Sequence, residues 1–236
     1  MKLHLLSCPG PRPGPNLAYV FEVISEYLNG RRNPQVIYLS ESVEQDQFAS
    51  VTVDWFSECG RVLLAGLEEM PVAELEKVIS DDAVFYVPGG RSYWLIHKMH
   101  ETGYFDFIKE RVHGGIPYVG FSAGAVVAGA TIYSSTNRRE EGLCVETLGF
   151  VPFGLNPHFP SKQAEREARI EALQEVSRVR GVPILGLDDD AHLVVNDSGT
   201  TVKNGCVLMI DNRNGQSMAQ PVAVGNGCSA ALHTHT

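Results

Sequence analysis

Residues 116–128 read "IPYVGFSAGAVVA", a branched apolar run that breaks at one serine between two glycines and resumes as a run of small residues. The first part suits a buried strand and the last a helix, so the segment reads as a strand passing into a helix through a very tight turn. Only small neighbours allow such a reversal, because a bulky side chain on either side would strike the returning backbone. Working outward, short branched runs recur at 2–7, 35–40, 61–66 and 83–90. Segments of helical period separate them. Behind Pro15, a helix-starting residue, Leu17, Val20, Phe21, Ile24 and Leu28 fall on one face. Similar stretches occupy 44–58, 71–80, 91–113 and 162–178. Strands alternating with helices predict an α/β fold whose mostly parallel sheet has helices on both faces. Near the end the rhythm changes: 191–197, 200–204 and 206–211 crowd around DSG and NG turns and predict antiparallel hairpins. No repeat, low-complexity tract or long linker interrupts the chain, so a single domain over 1–236 is expected.

Composition narrows the function class. A formal charge of −9 would repel nucleic acid and anionic membrane from the average surface, so neither is expected as a partner. The opening MKLHLLSCPG has too short an apolar run for a signal peptide, and no segment approaches the roughly 20 apolar residues of a membrane span. Five cysteines, Cys8, Cys59, Cys144, Cys206 and Cys228, are odd in number and widely spaced. Free thiols in a reducing cytoplasm are the expectation.

GFSAG at 120–124 fits G-x-S-x-G. At the head of a helix, the Ser122 oxygen sits at the positive end of the dipole and the Ala123 N–H faces an incoming oxyanion. A serine that only caps the helix explains the same pentapeptide. A hydroxyl needs a base to act as a nucleophile, and eight histidines compete for that role. His4 lies in the first strand, His97, His100 and His113 lie on helices, and His233 and His235 lie in the terminal LHTHT. His97 and His100 share a helix face, but with no third ligand nearby no metal site is expected. His192, at the start of a strand, is a weaker alternative. His158 stands apart because LNPHFP at 155–160 brackets it with prolines and presents one imidazole rigidly. It follows Ser122 by 36 residues, too few for the order of an α/β-hydrolase.

Taken together, FYVPGGRSYWLI (85–96), GGIPYVGFSAGAVVAG (114–129), LGFVPFGLNPHF (148–159) and ILGLDDDAHLVV (184–195) resemble the S51 serine peptidases, the aspartyl dipeptidases (peptidase E) and the related cyanophycinases. The resemblance covers about residues 60–211. It implies a fold like the class I glutamine amidotransferases, with serine in place of their elbow cysteine. Carried over by position, Ser122 is implied as nucleophile, His158 as general base, and the Gly90 and Ala123 N–H groups as oxyanion hole. No cofactor is implied, and a homodimer is.

The third member is where the match departs. The family places an aspartate in a segment like T-T-N-D, where this chain has SSTNRREEG at 134–142. One alignment puts Asn137 there and another Arg138, and neither is an acid. Asn137 could orient an imidazole through its carbonyl, Glu140 and Glu141 lie close by, and Asp189 in GLDDDA is a further option at a strand end. A solvated cluster is the plain alternative for each carboxylate. For substrate, Arg166 matches an arginine linked to aspartate recognition, Arg169 shares its helix face, and Arg91 follows the GG turn directly. The implied function is a serine-type dipeptidase acting on small peptides with an N-terminal acidic residue. A cyanophycinase-like hydrolase of β-Asp-Arg polymer and a non-catalytic binding protein lacking the acid are the competing expectations.

Overall fold

The structure, a computed structural model, describes residues 1–8, 15–41, 49–137 and 139–222. Cys228, His233 and His235 lie outside them. Five parallel strands form the body of the main sheet: β1 (Leu3–Leu6), β2 (Gln35–Ser40), β3 (Arg61–Gly66), β4 (Ala83–Val87) and β5 (Tyr118–Phe121). Two antiparallel strands, β8 (His192–Asn196) and β9 (Gly199–Asn204), extend it to the order β3-β2-β4-β5-β1-β8-β9. The run read at 2–7 thus becomes an interior strand, which is why Leu3 and Leu5 have no exposed surface.

Side chains alternate across this sheet as strand geometry requires. Ile37, Leu39, Phe85, Val87 and Tyr118 enter a core on one face, against α4 (Ser92–Thr102), α5 (Tyr104–His113) and α6 (Ala123–Ala128). Val36, Tyr38, Val84, Tyr86 and Val119 enter a second core beneath α1 (Pro15–Leu28) and α2 (Ala49–Phe56). The helix expected at 71–80 is a short α3 (Val72–Glu76). A single stretch expected at 91–113 is two helices, because Gly103 takes φ 81 and caps α4 in the left-handed conformation that ends helices.

The C-terminal strands are antiparallel as expected, but the runs at 200–204 and 206–211 do not pair with each other. After Gly205, at φ 72, the chain leaves the main sheet, and β10 (Val207–Asp211) pairs with β7 (Ile184–Leu187) and β11 (Met218–Val222) instead. With β6 (Gly154–Asn156) they make a second sheet in the order β11-β10-β7-β6, backed by α7 (Gln163–Arg180). Leu155, Leu185, Leu187 and Val207 from this sheet join the same core as β1, β4 and β5. The carboxyl ends of β1, β4 and β5 therefore meet the loops that follow β6 and β7.

Candidate active site

Strand β5 stops at Phe121 and α6 starts at Ala123, so Ser122 alone carries the reversal, at φ 50 and ψ −109. His158, in the loop after β6, has φ 55. These are the two non-glycine residues with positive φ among the described residues. Such backbone costs about 1–3 kcal/mol each and persists where its surroundings dictate it. The surroundings here are tight. A Cβ on Gly120 would come within 2.5 Å of the Tyr118 ring and 2.6 Å of the Gly124 carbonyl, and one on Gly124 would collide with the Val87 carbonyl. Ser122 N–H donates to the Leu6 carbonyl at 2.9 Å, and Gly124 N–H to Pro88 at 3.1 Å. The elbow is thus fastened to the ends of β1 and β4.

His158 is anchored equally. Its N–H donates to Ser7 Oγ at 2.8 Å, Ser7 Oγ–H donates to the Leu187 carbonyl at 3.1 Å, and Phe159 N–H donates to that same carbonyl at 2.8 Å. The Phe159 ring packs on Gly186, where a Cβ would meet it at 2.6 Å. The imidazole then lies between two partners. Ser122 Oγ is 3.0 Å from Nε2, and Asp189 Oδ1 is 2.8 Å from Nδ1. An Nδ1–H donated to the carboxylate leaves Nε2 to accept the serine proton. The ring's pKa is raised above its ordinary value: the hydrogen-bonded Cys8 thiol contributes most, burial opposes it, and Asp189 adds to it.

The other candidate acids lie elsewhere. Asn137 Oδ1 accepts from Ser92 N–H at 2.7 Å and Ser92 Oγ–H at 2.9 Å, so its amide holds the start of α4 rather than His158. Glu140 and Glu141 are exposed and do not reach His158. Asp188 turns the other way, accepting the Cys206 N–H at 2.8 Å, which pins the turn that presents Asp189. His192 is buried against His4, with their ring nitrogens 2.9 Å apart, and takes no part in this group. His97 receives the Cys144 N–H, while His100 bonds the Glu146 carbonyl.

Gly89 and Gly90 lie against the elbow: a Cβ on Gly89 would stand 3.3 Å from Ser122 Cβ, and Gly90 has φ 149. Beside them the Ala123 N–H belongs to the first helical turn, whose amides have no intrahelical acceptor. The Arg91 side chain is committed to Glu41, with a 2.9 Å ion pair, and lies over the Trp94 ring. Arg166 stacks on Phe159, its guanidinium carbon 5.0 Å from the ring centre. An open cleft of about 710 Å³ runs from His158 and Asp189 to Lys162, Glu165 and Arg169. Ser122 is not part of its lining, so the cleft leads away on the histidine side. Arg169, which also donates to Asn156 Oδ1 at 3.3 Å, is the arginine of α7 that faces it.

Fold and site together define an α/β protein with a strained serine elbow backed by a histidine and an aspartate. The model of Peptidase family S51 matches residues 3–203, and the chain belongs to that family. It is 37% identical over 130 residues to Peptidase E of Streptomyces coelicolor, covering 53% of this chain and 52% of that protein. It is 35% identical over 137 residues to a Drosophila melanogaster protein named "Probable alpha-aspartyl dipeptidase", covering 55% and 56%. The aligned part thus spans about half the length of these relatives. Among solved structures, a protein of Listeria monocytogenes EGD-e superposes with a TM-score of 0.63 at 19% identity, covering 86% of this chain and 98% of that one. A peptidase from an acI-B1 Actinobacterium gives 0.61 at 15% identity, covering 93% of each. Both share the fold. No helix among the described residues is long and apolar enough to cross a membrane.

Proposed function

We propose that this chain is a serine-type peptidase that hydrolyses short peptides bearing an N-terminal acidic residue, with Ser122 as nucleophile, His158 as base and Asp189 as the orienting acid. The observation that carries the reading is the continuous hydrogen-bonded line from Ser122 Oγ through His158 to Asp189. In the first half-reaction Ser122 Oγ attacks the peptide carbonyl carbon while its proton passes to His158 Nε2. The Gly90 and Ala123 N–H groups receive the charge that develops on the carbonyl oxygen. Asp189 stabilises the imidazolium, which then protonates the departing amine as the C–N bond breaks. Water, deprotonated by the same nitrogen, hydrolyses the acyl-serine. Arg169 is the side chain we assign to the substrate carboxylate, since guanidinium and carboxylate pair bidentately; Arg166 and Arg91 are turned to Phe159 and Glu41.

Turnover of Asp-X and Glu-X dipeptides, abolished in Ser122→Ala, is the expected outcome. A purified protein that cleaves neither, and whose Ser122 is not labelled by a fluorophosphonate, sinks the proposal and favours a non-catalytic binding protein. One observation favours a second substrate: Glu165, Asp188, Asp189 and Asp190 all border the cleft and would suit a basic group. Faster release of β-Asp-Arg from its polymer than hydrolysis of any dipeptide would establish that cyanophycinase-like reading.

A further inference from the structure

Strand β1 delivers a second reactive group to the same histidine. Ser7 is bonded to the His158 backbone, and the following residue, Cys8, has its thiol hydrogen-bonded to the His158 ring. Cys8 Sγ, a ring nitrogen of His158 and a carboxylate oxygen of Asp189 lie within 4.8 Å of one another. Sulfur, imidazole and carboxylate are the ligand types that zinc selects. Around a tetrahedral zinc, such atoms stand about 3.3–3.6 Å apart, so closure asks for movement of about 1 Å by side chains that are partly exposed. The three are supplied by the ends of β1, β6 and β7, whose backbones are already fastened together. Open access to the cleft leaves a fourth position for water.

We propose that Cys8, His158 and Asp189 form a site for a zinc-class divalent cation, and that a cation bound there silences Ser122. Nδ1 is the nitrogen that the ion takes, because it faces Asp189 while Nε2 faces the serine. Binding sends the thiol proton to solvent and moves the Nδ1 proton, through water, to Nε2, leaving a neutral metal-bound ring whose proton sits on Nε2. That N–H donates to Ser122 Oγ and cannot accept its proton. Asp189, moved onto the ion, no longer stabilises an imidazolium. The site is thus a reversible off-switch, and this inhibitory half rests on the peptidase reading above.

The test uses Co²⁺ as a spectroscopic probe and Zn²⁺ as inhibitor on the full chain. Expected is a near-ultraviolet thiolate-to-cobalt band in the wild type that is absent in Cys8→Ala and retained when His233 and His235 are both replaced by alanine. Zn²⁺ should block turnover and fluorophosphonate labelling of Ser122, reversibly with chelator. Cys8→Ala, with inhibition read relative to its own zinc-free rate, should need about tenfold more Zn²⁺ or above for the same fractional block. No band, a band that survives Cys8→Ala, or equal zinc inhibition in both proteins overturns the proposal. Cobalt binding is read without substrate, so a Cys8-dependent band in a protein with no hydrolase activity would retain the site and discard only the peptidase reading.

Discussion

Asn137, Glu140, Glu141 and Asp189 each carry a side-chain oxygen able to orient an imidazole, yet of these Asp189 is the one that places an oxygen 2.8 Å from His158 Nδ1. Replacing it by asparagine should lower kcat by about 10³-fold or more, since the ring loses both its tautomer and its counter-charge. Asn137→Ala should leave kcat within about threefold and instead reduce stability by about 1 kcal/mol, the worth of a helix-starting acceptor, read by urea denaturation. The opposite pattern would return the role to Asn137. Ser122 itself bears strain at φ 50, so Ser122→Gly should abolish turnover while raising the thermal midpoint, because glycine adopts that backbone freely. Differential scanning calorimetry decides it, and an unchanged or lower midpoint would show that the elbow is not strained.

At the scale of elements, the turn between β5 and α6 works only because Gly120 and Gly124 leave room for backbone. Gly124→Ala should cost about 1–3 kcal/mol or prevent folding, since its Cβ meets the Val87 carbonyl rather than a movable side chain. On the far side of the sheet, β1, β8 and α1 enclose His4, His192 and Tyr27. His4 Nδ1 and His192 Nε2 are 2.9 Å apart, and Tyr27 Oη is 2.7 Å from His4 Nε2. Burial, reinforced by Lys203, lowers the pKa of His4 to about 4 and, reinforced by His4 and Lys203, that of His192 to about 3. Both lie below the unfolded value of about 6.5. The unfolded chain therefore binds protons more readily, and the stability contributed by the neutral pair is complete above pH 6.5 and lost as pH falls toward 4 and 3. Urea midpoints at pH 7.5 and 4.5 should show this loss, and the double substitution His4→Leu, His192→Leu should flatten it.

Across the whole molecule, β1 is the strand that joins everything. It pairs with β5 on one side and β8 on the other, its end holds Ser122 and His158, and Leu5 is fully buried. Leu5→Ala should cost about 2–5 kcal/mol in equilibrium unfolding. A loss under 1 kcal/mol would mean that the strand is not an interior one.

The α/β class, the alternation of strands and helices as far as β5, the serine elbow and the prolines around His158 were legible in the sequence, because each depends on local geometry. Period separates strand from helix, glycines mark the turn that only they allow, and prolines fix one imidazole. Tertiary structure alone decided the rest. The pairing of β10 with β7 rather than β9, and the reach of Asp189 rather than a nearer residue to His158, depend on contacts between segments far apart in the chain. Cys8 and His158 are separated by most of the chain and meet only because an interior strand and two later loops end at one edge of the sheet. Residue spacing reports what neighbours along a chain can do, whereas the pairing of strands determines which distant side chains become neighbours.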